Sequence, residues 1–86
     1  MYLYLGSDVV VPENDVLGIF DIEKVTVDRY MKDYLSYSQK NSRIYYVSLD
    51  MPKSIVVCES MVYITNVSCD TLKKRAASSY LIQKQH

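Results

Sequence analysis

Short apolar runs with alternating or continuous patterns dominate the chain, and they are the spacing of strands more than of helices. "MYLYLG" alternates and stops at Gly6, as a short strand entering a turn does. "DVVVP" is a continuous apolar run closed by Pro12, the pattern of a strand buried on both faces. "PEND" follows with turn residues, and residues 15–20, "DVLGIF", read as a third strand in which Gly18 marks a bulge or a close backbone approach. Downstream, "RIYYVSL", "SIVVC" and "MVYIT" are three more strand-like segments rich in Val, Ile and Tyr. Asp50–Lys53 joins the first pair of these. Glu59 and Ser60 join the second pair, and they are poor residues for a tight two-residue turn.

The pattern changes to a helical one twice. Over residues 27–40, Val27, Tyr30, Met31, Tyr34 and Leu35 fall on one apolar stripe, with Thr26 placed to cap the start and Lys40 and Asn41 suited to the end. A second helix is predicted from Asp70 or Thr71 to Leu81, with Leu72, Ala76 and Tyr80 on one side, Lys74 and Arg75 on the opposite arc, and Lys73 at the edge. Strands bracketing a helix make an α+β domain, mostly antiparallel. No linker, repeat or low-complexity segment divides residues 1–86, so the chain reads as one domain with a loose tail at 82–86.

Composition removes several classes of function. The sole histidine is the terminal His86, the only glycines are Gly6 and Gly18, and Cys58 and Cys69 stand apart without a CxxC spacing. A catalytic triad, a glycine-rich phosphate loop and a zinc set each lack their residues, so neither an enzyme nor a bound cofactor or metal is expected. Residues 1–20 have neither the basic start nor the apolar core of a signal peptide, and no apolar run approaches the roughly 20 residues of a membrane span. A cytoplasmic protein with reduced cysteines is expected, with Cys58 buried and inert at the end of its apolar run.

Two features are left over. The chain has nine tyrosines against one phenylalanine and no tryptophan. Tyr30 and Tyr34 belong to the helix stripe and are predicted core. Tyr2, Tyr4, Tyr45, Tyr46 and Tyr63 sit on strands, where neighbours face opposite ways, so some must be exposed; contacts between subunits would use them, with base stacking as the alternative that only Arg43 among nearby basic residues supports. The charge is also uneven. Ten basic residues balance ten acidic ones, yet residues 1–23 hold five acids and no Lys or Arg, while residues 71–86 hold four bases and no acid. Lys73, Lys74 and Arg75 crowd the first turns of the last helix, where the helix dipole is already positive. Two readings stay open for them: an anchor for phosphate, or a tolerated solvent face.

"MYLYLGSDVVVP", followed far downstream by "TLKKRA", resembles the RemA/RemB extracellular matrix regulators of Gram-positive bacteria, in the RemB type, over almost all of residues 1–76. The resemblance implies a cytoplasmic transcriptional regulator of biofilm-matrix genes, a ring-shaped homo-oligomer with a fold related to LytTR DNA-binding domains, and DNA engaged around the ring. On that basis Lys53, Lys73, Lys74 and Arg75 are the candidate phosphate contacts, and the five strand tyrosines the candidate subunit contacts. RemA-type proteins carry an arginine-rich loop where this chain has "LDMPKS", and an arginine in the first turn that falls here at Asp15. Asp50 and Met51 occupy positions in that loop, and only Lys53 keeps its positive charge. An oligomeric protein that binds other proteins and not DNA is the alternative.

Overall fold

The computed structural model describes the backbone of residues 2–25 and 29–84, and the side chains among them except those of residues 25 and 77–84. Strand β1 (Tyr2–Gly6) pairs antiparallel with β2 (Val9–Pro12) as a two-stranded ribbon. A 3-10 turn at Glu13–Asp15 leads into β3 (Val16–Asp21), then a short helix α1 (Ile22–Val25) and the central helix α2 (Arg29–Lys40). Strands β4 (Ile44–Tyr46), β5 (Ser54–Cys58) and β6 (Val62–Thr65) complete a four-stranded sheet, and α3 (Cys69–Lys84) closes the chain. The α+β class and the preponderance of antiparallel pairing are as expected. The order within the sheet, β3-β5-β6-β4, is not a run of hairpins. β4 lies parallel to β6, so "LDMPKS" carries the chain from one side of β6 to the other instead of turning back on β4.

The sheet is the middle of three layers. On one face Val56 and Cys58 meet the ribbon and α3 through Leu3, Leu5, Val11 and Leu72. On the other face Ile55, Val57, Val62 and Ile64 are covered by Met31 and Leu35 of α2 and by Ile22 of α1. β5 is therefore buried at every residue, which explains its uninterrupted apolar run. The similar run of β2 is not buried on both faces. Val11 faces the core, while Val10 is 53% exposed opposite Tyr4 on the outer face of the ribbon.

The ribbon reverses at Gly6-Ser7-Asp8, all three at positive φ (104°, 47° and 66°). A Cβ on Gly6 would also stand 3.2 Å from Val67 Cγ2, so this position needs glycine for both its backbone angle and its space. Nearby the buried Thr65 hydroxyl donates to the Leu5 carbonyl at 2.6 Å and accepts from Val67 N–H at 3.2 Å, tying the ribbon to β6.

Helix α2 corrects the predicted stripe. Its buried line is Met31, Leu35 and Ser38; Tyr30 is 87% and Tyr34 39% exposed, so neither is core. Thr26, Val27 and Asp28, the predicted cap and first turn, lie outside the described residues. At the other end Asn41 donates its backbone N–H at 3.1 Å and its side-chain amide at 2.8 Å to the Tyr37 carbonyl, and Ser42 takes a left-handed φ of 57°. α3 runs past Leu81 to Lys84, and the expected tail at 82–86 falls on side chains, and at 85–86 on backbone, outside the described residues. No helix among the described residues is long and apolar enough to cross a membrane.

Candidate nucleic-acid interface

α3 begins at Cys69, one residue before Asp70 and two before Thr71, because Ser68 caps it. Its hydroxyl accepts the Thr71 N–H at 3.2 Å and donates to Thr71 Oγ1 at 2.9 Å, and its carbonyl accepts the Leu72 N–H at 3.0 Å. Asp70 in the first turn offsets part of the charge of Lys73 and Lys74. Leu72 is fully buried and Ala76 packs beside it, as predicted for these two, while the Tyr80 side chain of the predicted face lies outside the described residues; Lys73 and Lys74 are exposed.

Two clefts, of about 290 and about 300 Å³, open at this helix start and share Asp21 and Cys69. Lys73 lines the first together with Lys24, and Lys53 lines the second. Lys53 is held there by its backbone, its N–H donating to Thr65 O at 2.9 Å and its carbonyl accepting Ile22 N–H at 3.1 Å. The fold thus brings Lys53 and Lys73 to one region although they come from separate elements. It adds Lys24, which the sequence reading missed because α1 had no pattern of its own. The same region holds Asp21, Glu23 and Asp70, so the cations are interleaved with carboxylates and do not form a purely positive patch.

Arg75 lies apart from these lysines. Its Nη1 donates to the Tyr4 carbonyl at 3.0 Å and its Cζ stands 5.1 Å from the Tyr4 ring centroid, a cation–π contact. It therefore anchors α3 to the ribbon, where the sequence placed it on a free arc.

The five strand tyrosines are not gathered into one patch. Tyr2 and Tyr4 stand on the outer face of the ribbon, 67% and 43% exposed. Tyr45 and Tyr63 pair across β4 and β6 with an edge-to-face ring contact at 5.9 Å. Tyr46, next along the edge strand, points to the opposite face of the sheet and is 58% exposed.

Cys58 and Cys69 are both buried free thiols. Burial raises the Cys58 pKa, and the Asp15 carboxylate adds to the rise. Among the described residues, no three His, Cys, Asp or Glu side chains are grouped to hold a metal ion.

No family model matches the chain. It is 41% identical, over 76 residues covering 88% of this chain and 90% of the relative, to extracellular matrix regulatory protein B of Bacillus subtilis (strain 168). The chain belongs to that family.

For this member of the extracellular matrix regulatory protein B family, Asp15 and Asp50, the acidic positions singled out in the sequence, have defined surroundings. Asp15 ends the 3-10 turn, and its carbonyl accepts Glu59 N–H at 3.0 Å. Asp50 accepts the Asn66 side-chain amide at 3.3 Å, and its own N–H donates to Ser48 Oγ at 3.1 Å. On either side of it Leu49 and Met51 are 103% and 83% exposed, so two large apolar side chains flank Asp50 at the surface of the β4–β5 loop.

Proposed function

We propose that the protein is a cytoplasmic, non-catalytic transcriptional regulator of extracellular-matrix genes that works as a homo-oligomer, in ring form, and contacts DNA phosphate through Lys53, Lys73, Lys74 and the added Lys24. Kinship with extracellular matrix regulatory protein B is the observation that carries the regulatory role. The meeting of Lys53, Lys73 and Lys24 around the start of α3 supports the phosphate contact. The likeness to LytTR DNA-binding domains belongs to this same proposal. Arg75 is assigned a smaller part in DNA binding than the lysines, because its guanidinium is engaged by Tyr4.

A specific observation favours a second reading, an oligomer that binds other proteins and leaves DNA alone. Asp50 and Met51 stand in the loop that is arginine-rich in RemA-type proteins, and Asp21, Glu23 and Asp70 dilute the lysine cluster. One experiment separates the two: mobility shifts on random and matrix-promoter DNA at low and moderate salt, with particle mass measured on the same sample. The DNA-binding reading expects retardation on both DNAs that weakens steeply with salt. An assembled protein that retards neither DNA at low salt establishes the second reading.

A further inference from the structure

We draw no further inference here: the strongest candidate, the pair of clefts at the start of α3 that share Asp21 and Cys69, belongs to the phosphate-contact site already described, and no buried, unpartnered side chain lines either cleft to point to a ligand of another kind.

Discussion

Arg75 is where charge and packing part company along "KKRA". Its hydrogen bond to Tyr4 and its place over the Tyr4 ring give it a structural duty that Lys74, one residue earlier, lacks. A net hydrogen bond contributes about 0.5–1.5 kcal/mol and an exposed cation–π contact about 0.5–1. Arg75→Ala is therefore expected to lower stability by about 1–2 kcal/mol in urea titrations, and Lys74→Ala to change it by less than about 0.5. Equal effects would show that Arg75 does not hold the ribbon. The spacing did not foretell this contact, because a helical wheel gives the arc of a residue and not the reach of a long side chain back to another strand. Cys58 was legible, since an apolar run ending in Cys reads as a buried thiol. Its pKa is raised from the ordinary 9.0 by burial and then by Asp15, and that of Tyr63 from 10.0, by burial first and then by Cys58, Asp15 and Tyr45. Both groups hold their protons more tightly folded than unfolded. Their contribution to stability is complete below the unfolded pKa values and is lost as pH rises through the raised folded ones. Thermal midpoints should thus fall above about pH 9, and Cys58→Ala should make that alkaline fall shallower.

Among the elements, the ribbon turn and α2 show what a sequence pattern specifies and what it leaves open. Ser7 and Asp8 both take positive φ in a two-residue turn, which Asn-Gly adopts with far less strain. Replacing them by Asn and Gly should stabilise the protein by about 1 kcal/mol, a rise of about 4–8 °C in Tm for a domain of this size. An unchanged or lower Tm would mean that the turn is not strained. In α2 the stripe of Tyr30, Met31, Tyr34 and Leu35 was visible, but its centre was not. Tyrosine counts as apolar in a periodicity while its hydroxyl tolerates water, and the small, buried Ser38 counts as polar. Leu35→Asp should cost about 2 kcal/mol or more, since it removes apolar burial and sets a carboxylate against Ile55 and Ile64. Tyr30→Asp should be almost neutral, and chemical denaturation of the two variants side by side checks which line is buried. The parallel β4–β6 pairing was illegible for another reason. "DMPK" has the length and residues of a hairpin loop, and only the partner strands decide that the chain crosses β6 instead of turning back.

For the molecule as a whole, the uneven charge of a neutral chain bears directly on the proposed DNA contact. The described lysines near the start of α3 share their surface with Asp21, Glu23 and Asp70, so a phosphate bound there as proposed would meet opposing carboxylates. The β4–β5 loop is the place to test the proposed contact by adding positive charge. Leu49 and Met51 are exposed, and the Asp50 carboxylate makes only a 3.3 Å contact with Asn66 at the surface, so arginines at 50 and 51 disturb no packing. If the loop faces DNA in the assembly, Asp50→Arg with Met51→Arg removes one repulsive charge and adds two attractive ones per subunit engaged. The slope of log K against log salt should then steepen by roughly 0.9 for each additional phosphate neutralised, and affinity should rise alike on every duplex, because phosphate carries no sequence. The reverse change, Lys73→Ala with Lys74→Ala, should flatten the slope by the same amount for each phosphate no longer neutralised, with the fold kept because Leu72 and Ala76 carry the packing of α3. Fluorescence anisotropy across a salt series, with mass measured on each variant, separates altered phosphate binding from altered assembly. If the loop arginines leave both affinity and slope unchanged while the lysine pair weakens binding, DNA runs past α3 alone. If neither pair moves them and the particles stay assembled, the basic run is a solvent face and the protein regulates through other proteins.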